Sequence, residues 1–552
     1  MQLTEHWHGR ARYTVFDSDH GDGRRFTELV EAWRADPQRP ARLHVIALAG
    51  GLQPGFHRIP QPDANVTLDL IAAPLEGALT QLNAHLDAIR LHAVDGTDFV
   101  RPLARLTTLG AWLTAPGLDG GQRAALQAQG FVFDGDGDAV FASRKPRLPV
   151  TPPPERRALV LGAGVAGCAA AARLCARGWQ VTLIERHPHA AMEASGNLAG
   201  IFMPLLSRDD NIPTRLTRAA YLYALRYWQG LGGIGRAFDG AQCGVLQLAR
   251  DAGHAAVSRA IAAAGTVPGD FARWLEPDQA AALLGLPAPD GGWLFPQGGW
   301  ARPASVCAAM LASCGGLLTT RFGAGDVRLE RDGDDWLARA VDGEELGRAP
   351  TVVLASGAGA RQMGQTRDLP LQALRGQVTH LAPEHAPQLP LVLCREAYLT
   401  PSGSGVTCAG ATYDLDDDPQ LRAASHDENV ERLRALVSDP GAALGAPLLG
   451  RVGFRCVAPD RLPLVGRLPD FAAAGATERL RDVPRHPCLH GLLGYASRGL
   501  IWAPLAAELL AAQLEGEPLP LEMALVDALD PARFVLRARR SSRAPASIDD
   551  EA

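Results

Sequence analysis

Six consecutive residues, Gly162-Ala163-Gly164-Val165-Ala166-Gly167, carry the clearest chemistry in this chain. They follow the apolar run Leu159-Val160-Leu161, which reads as a buried parallel strand, and precede an alanine-rich segment that predicts a helix over residues 168–177. Strand, glycine turn and helix in that order build a phosphate cradle. Gly162 permits the tight turn, Gly164 lets backbone N–H groups reach a pyrophosphate at the helix N-terminus, and Gly167 lets helix and strand approach. A second strand over residues 181–184 then delivers Glu185 and Arg186, with the Glu185 carboxylate placed to accept hydrogen bonds from a ribose. A bare Gly-x-Gly-x-x-Gly is weak, because a glycine-rich turn need bind nothing. Its continuation through Ala171, Leu174, Gly178 and Val181 to an acidic end makes it specific. That acidic end argues against a phosphorylated ribose, so these residues by themselves leave FAD or NAD.

Ordered short motifs accompany the cradle: Ala194-Ser195-Gly196-Asn197 with Gly200 and Pro204, Phe295-Pro296-Gln297-Gly298-Gly299-Trp300 with Pro303, Arg375-Gly376-Gln377, and Gly410-Ala411-Thr412-Tyr413. Arg451-Val452-Gly453-Phe454-Arg455, Pro459-Asp460-Arg461-Leu462-Pro463-Leu464-Val465-Gly466 and Gly494-Tyr495-Ala496-Ser497-Arg498-Gly499-Leu500 follow. Together they resemble the FAD-dependent D-amino-acid and glycine oxidase superfamily. The resemblance is closer still to the oxidoreductase half of the MnmC family of bifunctional tRNA 5-methylaminomethyl-2-thiouridine biosynthesis proteins, over residues 157 to 540 or so. It implies FAD as cofactor, held by the cradle with Glu185, Arg186, Ser195, Gly196, Asn197, Gly200, Val327, Ala355, Gly357, Gly494, Ser497, Arg498, Gly499 and Leu500. It also implies that Arg455 grips a substrate carboxylate, for which a bidentate guanidinium is suited, with Arg498 and Tyr398 nearby. Each piece has a plainer reading beside this one. Ser195-Gly196-Asn197 would serve as a helix-capping turn, residues 494–500 as an ordinary loop, an arginine as a surface charge, and Tyr398 as a packing residue.

Those residues need a scaffold, and the chain is long enough to supply more than one. At 552 residues, 47% hydrophobic and 21% charged, it is globular in composition and spans two or three domains. Residues 144–157 contain five prolines among clustered positive charges, which no packed helix or central strand accommodates. This divides the chain into an α/β domain at 1–145, a linker at 146–157, an oxidoreductase domain at 158–545 and a tail at 546–552. In the first domain, strands are expected over residues 13–16 and 43–48 and a helix over 26–33. In the second, a strand over residues 351–355 and a helix reaching 514 frame the nucleotide-binding part, with an α+β substrate part interleaved in sequence.

The first domain resembles the methyltransferase half of the same bifunctional family in reduced form. Where the family carries Glu-Thr-Gly-Phe-Gly-Thr-Gly and Leu-Asn-Phe, this chain has Asp17-Ser18-Asp19-His20-Gly21-Asp22-Gly23-Arg24-Arg25-Phe26, so the first loop glycine is Asp19. A side chain there crowds the backbone that must meet S-adenosylmethionine. The family's Asp-Gly-Phe-Ala-Pro-x-Lys-Asn-Pro run survives only as Asp95-Gly96, although Gly55, His57-Arg58, residues 111–114 and Gly130-Phe131 keep the pattern. The fold is expected to persist, and methyl transfer to have been lost.

A net charge of −6 excludes a broadly basic nucleic-acid-coating protein while allowing a local basic patch. Arg533, Arg537, Arg539, Arg540 and Arg543 form one such stretch, for which contact with RNA phosphates and a solvated tail are both open. Nine cysteines without a Cys-x-x-Cys pair predict reduced, buried thiols and no metal site. No signal-peptide core or membrane-length apolar run is found, so a cytoplasmic location and no membrane partner are expected. The resemblance implies wobble-uridine tRNA as substrate and dioxygen as electron acceptor. Three other readings compete: a working second methyltransferase activity, a small-molecule oxidase of glycine, sarcosine or D-amino acids, and a flavin-binding scaffold without turnover.

Overall fold

The computed structural model describes residues 6–135, 137–143, 152–402, 405–437, 448–475 and 477–543. Residues 146–151 of the predicted linker and the whole 546–552 tail lie outside the described residues, and the linker's last residue, Arg157, already opens a strand. The chain divides into two compact units, one built from residues 1–154, 225–230 and 508–526 and the other from the remainder.

In the first unit, eight strands form one sheet: β1 (Arg12–Asp17), β2 (Arg42–Leu48), β3 (Gly55–Pro60), β4 (Val66–Ala72), β5 (Leu86–Arg90), β6 (Thr107–Thr114), β7 (Phe131–Asp134) and β8 (Asp138–Phe141). Their order is β3-β4-β2-β1-β5-β6-β8-β7. The strands from β4 to β6 run parallel, while β3, β8 and β7 pair antiparallel at the two edges. Side-chain alternation sends Phe16, Ile46, Ile71 and Ile89 into one apolar cluster and Val15, Val45, Leu68 and Ala88 into another. Helices therefore cover both faces, as an all-parallel core requires. The strands and the helix Arg24–Ala35 fall where the sequence predicts them.

The sequence assigns residues 508–526 to the oxidoreductase domain, whereas the contacts place Glu508–Val526 with the first unit. The reason is a buried ion cluster invisible to local pattern. Arg58 donates from Nε and Nη2 to both Asp69 oxygens at 2.8 Å, from Nη1 to Glu508 at 2.8 Å, and to the Pro518 carbonyl at 2.6 Å. Burial raises the Asp69 pKa, and Arg58 opposes that rise. Replacing Arg58 by Met strands two buried carboxylates, so the variant is expected to lose about 3–5 kcal/mol of stability in denaturant unfolding of the full chain. A loss below about 1 kcal/mol would mean that the cluster contributes little.

In the second unit, β9 (Arg157–Leu161) and β10 (Gln180–Ile184) lie in a six-stranded sheet between Leu318–Arg321 and Thr351–Leu354, followed by Arg485–Leu493 and the antiparallel edge Leu464–Pro469. The helix after β9 runs Val165–Cys175, beginning three residues earlier than predicted because it starts inside the glycine turn. It ends where Gly178, at φ 79°, turns the chain so that the Trp179 N–H reaches the Leu174 carbonyl. A second sheet of eight strands, interleaved in sequence as expected, sets Val392–Cys394, Tyr398–Leu399, Thr407–Gly410, Gln372–Leu381 and Leu449–Val457 side by side. These five strands carry the substrate-side residues.

Seven of the nine free cysteines are buried, as the sequence predicts, but Cys488 is exposed and Cys243 half-buried. Among the described residues, no helix is long and apolar enough to cross a membrane, and no group of three His, Cys, Asp or Glu residues gathers as a metal site. Of the C-terminal arginines, Arg533 and Arg537 both turn to Asp460, at 2.9 and 2.5 Å. Burial pushes the Asp460 pKa up, yet pairing with these arginines prevails and holds it below the ordinary carboxylate value. Arg533 is buried, so it is committed to its own chain rather than offered to RNA phosphates. The side chains of Arg539, Arg540 and Arg543 lie outside the description.

Candidate active site

The cradle is defined by what a side chain would hit. Gly162 has φ 104°, and a Cβ there would come within 2.6 Å of the Ala355 carbonyl, while one on Gly167 would overlap the Gly162 carbonyl oxygen. Ala355 in turn donates its N–H to the Leu161 carbonyl at 2.8 Å, which locks the strand Thr351–Leu354 beside β9 and brings Gly357, at φ 53°, to the same end of the sheet. Ala163, Val165 and Ala166 are buried around the turn. The Ser195 hydroxyl accepts from the Val165 N–H at 3.1 Å, and a Cβ on Gly164 would approach that hydroxyl to 3.0 Å. Glu185, buried at the end of β10, accepts from the Ala163 N–H at 2.6 Å and the His187 N–H at 3.1 Å.

Of the other residues that the resemblance counts toward the cofactor, Leu500 and Gly499 come close to Gly200 and Val165, and Arg186 turns away. Gly323, Ala324 and Gly325 donate to the carbonyls of His187, Glu185 and Arg186, which ties the chain just before Val327 to the residues that follow β10. The Arg186 side chain, by contrast, points outward to pair with Asp326, since a charged fork gains more from an exposed carboxylate than from a dry turn. Gly494 (φ 74°) and Ala496 (φ 49°) bend the loop that starts the helix Gly499–Glu515. A Cβ on Gly499 would lie 3.1 Å from Val165, and one on Gly200 would lie 2.8 Å from Leu500. Two helix N-termini thus come together, one of them bonded through the Val165 N–H to Ser195.

On the substrate side, Asn197 donates to the Tyr398 hydroxyl at 3.0 Å and to the Ala199 carbonyl at 3.0 Å. Its Oδ1 is buried without a partner among the described residues, as is the Tyr495 hydroxyl. Such orphaned atoms beside a glycine cradle fit a site shaped for a large polar cofactor. Arg498 donates to the Met203 carbonyl at 3.3 Å, and the Cys394 thiol lies 3.9 Å from the Met203 sulfur. Arg455 donates to the Thr412 carbonyl at 3.1 Å, and its guanidinium carbon stands 4.4 Å from the centre of the Tyr413 ring. It can lie there because Gly376, on the neighbouring strand, has no side chain: a Cβ would overlap Arg455 Nη1.

Burial governs the ionisation of the groups beside Arg455. Burial pushes the Tyr398 phenol well above its ordinary value, despite Asn197 and Arg455, so it stays neutral. Burial also lowers the Arg498 pKa, opposed by Cys394 and Tyr413. The structure brings Arg455 near Tyr398, both named from the sequence, which gave no hint of Met203, Cys394 or the space that Gly376 leaves for Arg455. Only Gly376 left a trace, as the middle of Arg375-Gly376-Gln377.

Residues 157–513 match the family described as FAD dependent oxidoreductase. Over 606 aligned residues the chain is 41% identical to the tRNA 5-methylaminomethyl-2-thiouridine biosynthesis bifunctional protein MnmC of Burkholderia thailandensis, covering 98% of this chain and 93% of that protein. It is also 41% identical to the protein of the same name from Paraburkholderia phytofirmans, covering 98% and 92%. Among solved structures, glycine oxidase from Geobacillus kaustophilus superposes with a TM-score of 0.56 at 21% identity, covering 68% of this chain and 99% of that one. Iminodiacetate oxidase from Chelativorans sp. BNC1 gives 0.54 at 23% identity, covering 66% and 96%. These two share the fold. The chain therefore belongs to the MnmC family of bifunctional tRNA 5-methylaminomethyl-2-thiouridine biosynthesis proteins, and its larger part is an FAD-dependent oxidoreductase.

Proposed function

We propose that this enzyme oxidatively removes the carboxymethyl group from 5-carboxymethylaminomethyl-2-thiouridine at the wobble position of tRNA, giving 5-aminomethyl-2-thiouridine and glyoxylate. That side chain is an N-alkylated glycine, which accounts for an amine-oxidase scaffold in a tRNA-modifying family. Bound FAD supplies the hydride acceptor for the glycyl methylene. Gly162, Gly164 and Gly167 with the Val165 helix N-terminus would hold its pyrophosphate, Glu185 its ribose, and Ser195, Asn197 and the N–H groups of Ser497, Gly499 and Leu500 its ring. Arg455 takes the substrate carboxylate bidentately, while neutral Tyr398 and the Arg498 guanidinium orient the arm. With the secondary amine bound unprotonated, no side-chain base is needed. Water and dioxygen are consumed, and the primary amine, glyoxylate and hydrogen peroxide are released. Such a substrate belongs to the cytoplasm. The observation that carries this reading is Arg455, cleared by Gly376 and held near Tyr398, to which Asn197 is bonded.

A second reading, in which the first unit also methylates the aminomethyl product, is favoured by its strand order and by the bifunctional name of its relatives. Its crevice speaks against it. At the carboxyl ends of β1, β2 and β5, where a doubly wound sheet binds nucleotides, Arg25 pairs with Asp17 at 3.1 Å and with Asp19 at 3.3 Å. Incubating the purified yellow protein with tRNA bearing the carboxymethylaminomethyl group, with and without S-adenosylmethionine, tests both readings by mass spectrometry of the wobble nucleoside. The aminomethyl nucleoside and glyoxylate are expected in both arms. Unchanged tRNA alongside glycine oxidation would replace the first reading by a small-amine oxidase, and methylated nucleoside with S-adenosylmethionine would restore the second activity.

A further inference from the structure

Tyr413 is 55% exposed although one face of its ring is covered by the Arg455 guanidinium, and Leu415 and Leu421 on the same loop are 81% and 49% exposed. Exposed apolar groups on a slack loop would mean little, because such a loop folds over its own hydrophobes. This loop is not slack. Arg375, wholly buried, donates from Nε to the Asp418 carbonyl at 2.8 Å, from Nη2 to the Gln420 carbonyl at 2.6 Å, and from Nη1 to the Asp414 carboxylate at 3.2 Å. Its backbone exchanges two hydrogen bonds with Asp414, at 2.9 and 3.0 Å. Gln377 is tied to Thr412 and Arg422, and Arg422 grips Asp416 with two bonds of 2.9 Å. Loop 411–422 is thus anchored at both ends and in the middle, and the outward face of Tyr413 is held open by construction.

We infer that Tyr413 is the stacking wall for the pyrimidine ring that carries the glycyl arm, and so sets specificity for a nucleotide over a free amino acid. The inference rests on the tRNA reading above and names the residue that enforces it. The chemistry follows from position. Arg455 anchors the carboxylate end of the arm and also underlies the Tyr413 ring, so one guanidinium–aromatic stack serves both ends of the substrate. A planar, apolar face of this kind suits a base of any sequence context. Leu415 and Leu421 extend the apolar surface beyond the ring. A ring-free substrate such as glycine would touch Arg455 and leave Tyr413 unused.

The test compares the holoenzyme with its Tyr413→Ala and Tyr413→Phe variants on carboxymethylaminomethyl-bearing tRNA, and measures glycolate, a ring-free carboxylate, as a competitive inhibitor. Tyr413→Ala is expected to raise KM for the tRNA about 10- to 100-fold, the loss of one base–aromatic stack, with kcat changed far less. Tyr413→Phe keeps the stacking face and is expected to stay within about threefold of wild type. The glycolate Ki should rise by no more than about a tenth of the loss seen with tRNA. Equal losses on both ligands would show that Tyr413 acts only by bracing Arg455, and an unaltered KM for tRNA would show that it touches no base. Either result overturns the inference. A variant that changes only the mass of the particle in solution would assign the patch to a second copy of the chain and overturn it too. Wild-type enzyme that leaves the tRNA unmodified would defeat the substrate reading itself, a result separable from active enzyme indifferent to Tyr413.

Discussion

Replacing Arg455 by Ala is expected to lower kcat/KM for the carboxymethylaminomethyl substrate by about 10²- to 10⁴-fold, the scale of losing one partner of a desolvated charge pair. Lys should recover little of this, because an ammonium offers a point charge where the carboxylate needs a planar fork. The same geometry yields a second route to the same defect. A methyl group on Gly376 would overlap the Arg455 guanidinium, a flexible group that can swing aside, so Gly376→Ala should fold and bind flavin yet share the loss in kcat/KM. Steady-state kinetics on both variants, with flavin content as the control, decide the matter. Full activity in Arg455→Ala would remove the carboxylate anchor from the proposed mechanism, and full activity in Gly376→Ala would show that the guanidinium does not work from the position described.

Substituting Gly167 by Ala is expected to yield protein that retains less than about a tenth of the wild-type flavin, read as absorbance near 450 nm per chain. Here the clash is with backbone: the added Cβ would overlap the Gly162 carbonyl, which belongs to the turn that bends around the pyrophosphate. Backbone in a cradle pinned by Ala355 and Glu185 has nowhere to move without opening it. Gly164→Ala makes a milder comparison, since its Cβ meets only the Ser195 hydroxyl at 3.0 Å, so partial retention is expected. Stoichiometric flavin in Gly167→Ala would mean that the cofactor is held elsewhere. Denaturant unfolding of the first unit, which does not contain this turn, separates flavin loss from general misfolding.

Both experiments probe residues that differ in how readily they could be read in advance. The flavin cradle was legible because its physics is contiguous. A strand, three glycines and a helix lie within about 20 residues, and each glycine is required by a neighbour a few positions away. Glu185 follows from the same unit. The strands of the first unit were legible for a similar reason, since a strand covered on both faces is apolar at nearly every position.

Tertiary structure decided the rest, wherever a side chain's partner lies far along the chain. Arg186, which the resemblance counts among the cofactor residues, pairs with Asp326, a partner that the sequence does not announce. For Arg533 the sequence left RNA contact and a solvated tail both open, and Asp460 takes it instead. Glu508 sat inside an apolar helix that pattern assigned to the oxidoreductase domain, and Arg58, 450 positions away, claims it. Tyr413 was visible only as the end of a motif until the fold laid Arg455 beneath it and Arg375 behind its loop. The sequence by itself therefore determined the strand–glycine–helix turn and its position in the chain, because local backbone sterics settle that. What the substrate side presents to its ligand was left to the folded chain, because ion pairs and stacked rings are chosen by proximity in space.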